Sequence, residues 1–239
     1  MGKFSVNDLK RKVRFPNKNI NLAEFFGILT GDGFMNIYRK YDYVIEIAGN
    51  KLSDKSYLKV YLTNLIKKLF NIIPRYIERN DQNSIYLRIC SKAVFNYLLE
   101  KGFKKGRKGF IGIPLWIREN KEFMRYFVRG LFDTDGCISI KNKEGTKYPT
   151  ISISSKSNKL LNIVRGYLED RGINCVFMKQ IDNSRKYSHE VIRYKIEING
   201  YKNLQVWFNL IKSSNDRNIK KYRKAIDFLN KRNKDLKNR

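Results

Sequence analysis

The sequence contains few of the residues that proteins use for zinc binding and for covalent catalysis. It has one histidine and three cysteines, and the cysteines form no C-x-x-C pair. A single histidine excludes a His-rich metal site and argues against Ser-His-Asp catalysis. An odd number of scattered cysteines fits neither a zinc ribbon nor a disulfide framework. We therefore expect small buried thiols in a reducing compartment.

Long apolar segments are also lacking. No apolar run approaches the roughly 20 residues needed to cross a bilayer. The N-terminus, MGKFSVNDLKRKVRF, lacks the apolar core of a signal peptide. The sequence predicts a soluble intracellular protein without a membrane partner, either cytoplasmic or, in a eukaryote, organellar.

Acidic residues are scarce. The 239 residues include 22 Asp plus Glu against 50 Lys plus Arg, which gives a net charge of +28. Such an imbalance costs folding free energy through self-repulsion and usually indicates a polyanionic partner. A codon bias towards Lys, Asn, Ile and Tyr would raise the basic content, but it does not by itself explain so few acids. Nucleic acid is the predicted partner, and 42% hydrophobic residues suffice for a core in one or two domains.

Two segments of the chain nearly repeat each other. EFFGILTGDGF (residues 24–34) and YFVRGLFDTDGCI (residues 126–138) are apolar helical runs that close on Asp-Gly, and their aspartates, Asp32 and Asp135, are 103 positions apart. Reading on from each run gives helix, two strands, helix, two strands, helix. The strands alternate apolar with basic or polar residues, which is typical of an antiparallel sheet with one face on helices and one in water.

This pattern predicts an α+β fold of two pseudo-symmetric αββαββα repeats. The first helix is predicted from about Leu22 to Leu29, and the next one has Ser53 or Asp54 as its cap. The predicted units are a basic N-terminal segment, two repeats and a basic C-terminal helix or tail: 1–20, 21–112, 113–212 and 213–239. The tail is either a solvated helix face or a source of phosphate contacts.

The duplicated Asp-Gly endings predict a shared site. Each helical run carries small residues four positions apart: Gly27 and Gly31, and Gly130 and Thr134. Such spacing lets two helices pack closely at the centre of the molecule, which would bring Asp32 and Asp135 together. Two converging carboxylates repel each other unless a divalent cation such as Mg²⁺ lies between them. In a basic nucleic-acid-binding protein this predicts phosphodiester hydrolysis, with one acid for each strand of a duplex.

The residues FFGILTGDG (25–33) and VRGLFDTDG (128–136) resemble the two nine-residue motifs of the LAGLIDADG homing endonucleases. The likeness is to the single-chain, two-motif kind encoded in mobile introns, especially the archaeal members, and it extends over nearly the whole chain. It implies antiparallel sheets that form a saddle in the major groove of a long double-stranded DNA site. It also implies a monomeric, Mg²⁺-dependent, site-specific double-strand endonuclease that acts in intron homing.

The resemblance also implies roles for individual residues. In the family, the last acid of each motif binds the metal and the residue before it offers a backbone carbonyl, which here gives Asp32 with Gly31 and Asp135 with Thr134. The first acidic position of the motif is Thr30 in the first copy, a departure that leaves the metal-binding acid in place. Residues that follow the second strand of each repeat and order solvent around the scissile phosphate are here Asn50, Lys51, Ser155 and Lys156. A further lysine before the second motif is Lys108, with Lys212 or Lys220 as its counterpart.

The family reads DNA with its sheets, so strand residues are candidates for base or backbone contact. By strand alternation these are Asn36, Tyr38, Arg39, Arg75, Tyr76, Arg88, Ser139, Lys141, Lys179, Arg193 and Lys195, and Ser155 joins them. Arg is best suited to guanine and Asn to adenine.

Two other functions are compatible with the same scaffold. An RNA maturase would help the host intron to splice and would not need the two acids. A DNA-binding regulator would have lost cleavage, but the presence of both Asp32 and Asp135 argues against this. The chain shows no catalytic Cys or Ser at its start and no His-Asn at its end, so we expect a free-standing protein and not one embedded in an intein.

Overall fold

The order of helices and strands follows the repeat predicted from the sequence. The structure, a computed structural model, describes residues 4–79, 82–104, 112–182 and 191–237. Its helices are α1 (Val6–Lys10), α2 (Ile20–Asp32), α3 (Thr63–Phe70, preceded by a π-helical segment Tyr57–Leu62), α4 (Lys92–Glu100), α5 (Leu115–Arg118), α6 (Lys121–Asp135), α7 (Asn158–Glu169), α8 (Tyr201–Leu210) and α9 (Asp216–Lys237). Its strands are β1 (Gly33–Tyr38), β2 (Asp42–Asn50), β3 (Arg75–Glu78), β4 (Ser84–Cys90), β5 (Gly136–Lys143), β6 (Thr146–Ser155), β7 (Val176–Asp182) and β8 (Val191–Asn199).

In the described part of the chain the strands form two four-stranded antiparallel sheets of the same topology. The strand order is β1-β2-β4-β3 in the first sheet and β5-β6-β8-β7 in the second. Each sheet follows one of the two helices that carry the Asp-Gly endings, α2 and α6. The predicted α+β class and the repeated order of elements are therefore confirmed, whereas the limits of the four predicted units remain a prediction.

Strand alternation gives each sheet one apolar face and one polar face. In the first sheet Ile45 pairs with Ile89 and Ile47 with Leu87, and all four are almost fully buried. Between them Glu46 pairs with Arg88 on the other face. Successive strand residues point to opposite sides, so the isoleucines meet the helices and the charged residues lie on what we call the polar face.

The two halves share one hydrophobic core. Among the described residues a single cluster of buried side chains includes members of both sheets and of both central helices, with Phe25, Phe26, Phe127 and Phe132 fully buried. None of the helices in the described ranges is both long enough and apolar enough to cross a bilayer.

Several local features were not predicted. The helices α1 and α5 were absent from the predicted pattern, and the predicted C-terminal helix or tail (213–239) contains the helix α9. The helix that follows β2 opens with the π-helical segment, a rare conformation that is often found at functional sites. Ser53 or Asp54 was predicted to cap this helix. The Asp54 carboxylate accepts bonds from the backbone N–H of Asn50 and from the side chains of Asn215 and Arg217.

The N-terminal helix α1 is held in place by a buried carboxylate. Asp8 is fully buried and accepts hydrogen bonds from the Ser91 hydroxyl (2.6 Å), the Ser5 backbone N–H (2.9 Å) and the Ala93 backbone N–H (3.2 Å). Burial alone would raise the pKa of Asp8, but these bonds hold its pKa below the ordinary value of 3.8. The carboxylate therefore links the segment before α2 to the start of α4.

We expect Asp8→Asn to lower the free energy of unfolding by about 2 kcal/mol at neutral pH, because bonds to a charged acceptor are lost. The folded-state pKa lies below the unfolded one, so this stabilisation is complete above the unfolded pKa and is lost as pH falls through the folded pKa. Urea melts of both proteins at about pH 6 and about pH 3 should show the difference between them shrinking. An equal difference at both pH values would contradict the assignment.

Candidate functional site

The two central helices cross at glycines, and the contacts are reciprocal. A Cβ atom on Gly27 would lie 2.1 Å from the carbonyl oxygen of Phe127, and one on Gly130 would lie 2.2 Å from the carbonyl oxygen of Glu24. Gly27 and Gly130 are 103 positions apart in the sequence, as are Glu24 and Phe127. The two glycines are therefore equivalent, and each contacts the carbonyl of the equivalent residue on the other helix. This reciprocity confirms the close packing of α2 on α6 about a pseudo-two-fold axis.

The carboxyl ends of these helices meet at one end of the crossing. A Cβ on Gly31 would lie 2.0 Å from the Thr134 hydroxyl oxygen and 3.4 Å from the carboxyl carbon of Asp135. Both helices continue without a loop into a strand, since Asp32 is followed directly by β1 and Asp135 directly by β5. The predicted convergence of the two motif ends is therefore present.

Glycine after each aspartate has a packing role in this junction. A Cβ on Gly33 would lie 2.4 Å from the backbone of Leu29, and one on Gly136 would lie 2.3 Å from the carbonyl oxygen of Phe132. Their φ angles of −80° and −91° are accessible to any residue. Glycine after each aspartate therefore allows the helix to continue directly into the strand. Each aspartate is held in position by the helix before it and the strand after it.

A buried polar network crosses the seam between the repeats. Glu24 of α2 is fully buried and accepts two hydrogen bonds from the Arg129 guanidinium of α6, one of them 3.1 Å long. Tyr61 of the π-helical segment donates its hydroxyl to Glu24 (2.7 Å), and Ser214 donates a longer bond (3.3 Å). Sequence analysis did not identify Glu24, because an isolated acid in an apolar helix gives no sign of its partner.

Residues 213–218, which we call the C-terminal clasp, are hydrogen-bonded to residues of both repeats along this seam. Asp133 is buried and accepts hydrogen bonds from the Ser213 hydroxyl and, at 2.8 Å, from the Ser214 backbone N–H. Burial raises the pKa of Asp133 to about 7, although the hydrogen bonds from Ser213 and Ser214 act in the opposite direction and lower it. The buried Asn215 amide donates to the Asp54 carboxylate and to the Asp133 carbonyl, both at 3.0 Å.

The clasp also reaches the end of the second motif. Arg217 is paired with the Asp54 carboxylate (3.2 Å) and donates to the backbone carbonyls of Asp133 (3.2 Å) and Thr134 (3.3 Å). A cationic side chain at the carboxyl end of α6 satisfies carbonyls that have no partner within the helix. The Thr134 carbonyl, a predicted metal ligand, is therefore also a hydrogen-bond acceptor for Arg217. The clasp sequence SSNDRN is polar like any loop, so the sequence carried no signal of this role.

Most of the strand residues predicted to contact DNA share the polar faces. Register places Asn36, Tyr38, Arg88 and Arg75 on the polar face of the first sheet and Ser139, Lys141, Arg193 and Lys195 on that of the second. Arg39 lies in the turn between β1 and β2 with a positive φ of 47°.

Tyr76 and Lys179 do not join the polar faces. Tyr76 pairs with the buried Leu87, packs against the core and donates its hydroxyl to Glu78 (2.7 Å). Lys179 pairs with Tyr194, which also packs against the core. Adjacent residues of a strand face opposite sides. The register therefore places Tyr76 and Lys179 on the faces opposite to Arg75 and Lys195, which differs from the assignment by alternation, and their contact with DNA stays a prediction.

The residues predicted to order solvent lie where the second strand of each repeat ends. The Asn50 side chain accepts bonds from the backbone N–H groups of Leu52 and Ser53, and Lys51 pairs with Glu78 at 3.2 Å. In the second repeat the Ser155 hydroxyl accepts a bond from the Ser157 backbone N–H, and Lys156 is exposed. Lys108 lies outside the described residues.

Comparison with known proteins agrees with the motifs and the fold. A family model described as a LAGLIDADG-like domain matches residues 122–204, which run from the start of α6 into α8. Over these residues the chain resembles the LAGLIDADG family. The match covers the second motif and its complete sheet, and the reciprocal helix crossing relates the first LAGLIDADG motif to the second.

Two curated relatives resemble this chain over part of their length. An uncharacterised protein of Methanocaldococcus jannaschii is 28% identical over 159 residues, which are 66% of this chain and 56% of that protein. The ribonucleoside-diphosphate reductase NrdEB subunit alpha of Bacillus subtilis is 26% identical over 179 residues, which are 72% of this chain and 16% of that protein. The chain thus spans about half of the first relative and a small part of the second.

Solved structures share the LAGLIDADG fold. I-DmoI in complex with DNA and Mn matches with a TM-score of 0.55 and 20% identity, over 82% of this chain and 99% of that one. A mutant of I-SmaMI matches with a TM-score of 0.54 and 12% identity, over 87% of this chain and 92% of that one. At these identities the likeness concerns the fold.

The two motif ends carry oxygen atoms of the kind that hard divalent cations prefer. Within the described ranges no group of three or more His, Cys, Asp or Glu residues is placed to hold a metal ion. Mg²⁺ commonly takes only one or two carboxylates and completes its shell with water and phosphate oxygens. The carboxyl carbon of Asp135 lies beside Gly31 at the junction of the two motifs, so a carboxylate of one motif lies close to the backbone of the other.

Proposed function

We propose that this protein is a site-specific double-strand DNA endonuclease that hydrolyses phosphodiesters with a divalent metal, and that intron homing is its biological role. The observation that carries the proposal is the meeting of two Asp-terminated helices on a pseudo-two-fold axis, each leading directly into a sheet with a basic polar face. The two strands of a duplex would each be served by one motif. In the solved complexes of I-DmoI, DNA is present together with Mn or Ca.

We propose roles for the chain's own residues at this site. Asp32 and Asp135 would hold Mg²⁺, with the carbonyls of Gly31 and Thr134 as neighbouring donors. When bound, the metal would activate water and neutralise the scissile phosphate. Residues at the ends of the second strands and in the segment before the second motif would order solvent and contact the phosphate: Asn50, Lys51, Ser155, Lys156 and Lys108.

The polar faces would bind the DNA on both sides of the cut. Both motifs and both sheets belong to one chain and are joined through a common core, which supports action as a monomer. A duplex that covers both sheets would present a long recognition site without a requirement for palindromy.

The decisive experiment incubates purified protein with a duplex library in Mg²⁺, with a parallel sample in EDTA. Discrete double-strand breaks that form only with the metal would support the endonuclease and map its site. Tight binding without any break would overturn it in favour of a regulatory role on DNA or a role on intron RNA, and binding to RNA would then be measured.

We expect DNA binding to depend steeply on salt, because the many Lys and Arg side chains that neutralise phosphates release counterions. The affinity for duplex DNA should fall by about 10³-fold or more between roughly 50 mM and 200 mM salt. Fluorescence anisotropy at several salt concentrations, with a neutral osmolyte as the control, measures the slope. A nearly flat log-log plot would show that few phosphates are contacted.

A further inference from the structure

Each polar face begins with a row of four residues at equivalent positions, and the two rows differ in charge. In the first sheet the register aligns four residues across β1, β2, β4 and β3: Phe34, Glu46, Arg88 and Arg75. In the second sheet the matching residues across β5, β6, β8 and β7 are Cys137, Ser152, Glu197 and Val176. Each row starts two residues after a motif aspartate, so these are the first rows of the polar faces beyond the candidate catalytic centre.

In the first row an acid fixes a guanidinium. Arg88 donates both its Nε and one Nη to the same Oε1 of Glu46, each at 2.6 Å. The Glu46 side chain is 16% exposed and that of Arg88 is 38% exposed, so the acid lies beneath the base. A guanidinium has five N–H groups, and these bonds use two of them while they fix the plane of the group.

In the second row a more deeply buried acid fixes two ammonium groups. The Glu197 side chain is only 8% exposed and accepts bonds from Lys141 (2.6 Å) and Lys195 (2.7 Å). Burial would raise the pKa of Glu197, but the two lysines hold its pKa below the ordinary range, so the carboxylate is charged. Lys141 and Lys195 come from different strands and reach the two oxygens of one carboxylate.

The carboxylates of Glu46 and Glu197 weaken the electrostatic attraction between the polar faces and DNA phosphates. On a surface that binds a polyanion, each negative charge reduces the general affinity for DNA. An acid that hydrogen-bonds to a basic side chain, however, fixes the orientation of that side chain, so that its remaining N–H groups point in a defined direction. Directed donors suit the edges of bases in the major groove, where Arg or Lys reads the O6 and N7 acceptors of guanine.

We propose that Glu46 and Glu197 are specificity-determining residues. Glu46 orients Arg88, and Glu197 orients Lys141 and Lys195, so that each set reads base edges beside the centre of the site. A fixed fork in one half and two separate ammonium groups in the other make the two half-sites unlike at equivalent positions. This inference rests on the proposed DNA binding but not on cleavage.

The test measures specific and non-specific affinity in Ca²⁺ without Mg²⁺. The preferred duplex is first selected by the wild-type protein from randomised sequences, and anisotropy then gives its Kd and that of an unrelated duplex. We expect Glu46→Gln and Glu197→Gln to bind the unrelated duplex as tightly as the wild type or more tightly. Their preference for the selected duplex should fall about tenfold, which is the size of one lost base contact.

Glu169→Gln is the matched control, because Glu169 also pairs with an arginine (Arg165, 2.7 Å) but lies on an exposed helix face. It removes the same charge and should leave the preference unchanged. Single-base substitutions along the duplex should place the loss from Glu46→Gln in one half-site and the loss from Glu197→Gln in the other. If a Gln variant fails to fold, as judged by circular dichroism, Arg88→Lys keeps the charge and should lose discrimination at the base read through Glu46.

An unchanged preference in the folded variants, or a rise of both affinities together, would overturn the inference, and so would selection of no preferred duplex by the wild type. None of these outcomes depends on metal-dependent breaks. Failure of the inference is therefore distinguishable from failure of the proposed endonuclease.

Discussion

Asp32→Asn is expected to abolish cleavage of one DNA strand, and Asp135→Asn is expected to abolish cleavage of the other. Asn has nearly the size of Asp but no negative charge, so it cannot hold a divalent cation in the same way. Each motif end belongs to a separate helix-to-strand junction, so each variant should impair its own strand first. We expect a loss of at least about 100-fold in the rate of the affected strand, because metal activation of water and charge neutralisation are lost together.

The measurement uses a duplex labelled differently on its two strands, in Mg²⁺, with binding followed separately in Ca²⁺. Binding should stay within a few fold of the wild type, since the sheets are unchanged. Asp227→Asn, at an exposed position of α9, controls for the removal of an acid. If both Asn variants cut both strands at the wild-type rate, Asp32 and Asp135 are not the metal ligands.

Gly27→Ala is expected to destabilise the whole molecule. The added Cβ would lie 2.1 Å from the Phe127 carbonyl oxygen and 2.9 Å from the Leu131 nitrogen, and neither backbone atom can move without shifting α6. The helices would have to separate along a seam that holds the buried pair of Glu24 and Arg129. We expect a loss of about 3 kcal/mol or more in the free energy of unfolding, at the upper end of overpacking effects.

Gly166→Ala provides the matched control for this substitution. Gly166 lies within α7, and nothing lies within 4 Å of the position where its Cβ would stand. The same chemical change should there raise stability by about 0.5–1 kcal/mol, because alanine favours the helix. Denaturant melts of the two variants should thus shift in opposite directions. A Gly27→Ala protein as stable as the wild type would mean that the helices do not cross at this glycine.

Local patterns were sufficient to predict the elements and their repetition. Apolar spacing and the Gly27 and Gly130 positions predicted the central crossing, and strand alternation predicted sheets with one polar face. Alternation was misapplied to Tyr76 and Lys179, because the parity of a strand depends on its register with its neighbour. In β7 the register places the apolar residues Val176 and Met178 on the polar face and Lys179 on the opposite face. Hydrophobicity alone would predict the reverse.

Only those residues of the candidate site that belong to the two repeated motifs could be predicted from the sequence. Asp32 and Asp135 stand out because they repeat. In contrast, the Ser213 partner of Asp133 is 80 residues away in the chain, and Glu24 is bonded to residues 37, 105 and 190 positions away. Nothing in a short polar stretch such as residues 213–218 indicates that it will be buried against carboxylates. Contacts of this kind depend on the path of the chain after α8, which local sequence does not encode.

The C-terminal clasp makes the seam between the two repeats depend on residues that follow both of them in the chain. Residues 213–218 leave the ribosome after both repeats, yet they supply bonds to Glu24 and Asp54 of the first and to Asp133 of the second. Without them, buried carboxylates at the seam lack part of their hydrogen bonding, so the contact between the two repeats is incomplete. The seam is therefore complete only when residues 213–218 are present, and a chain that stops before residue 213 would lack these bonds.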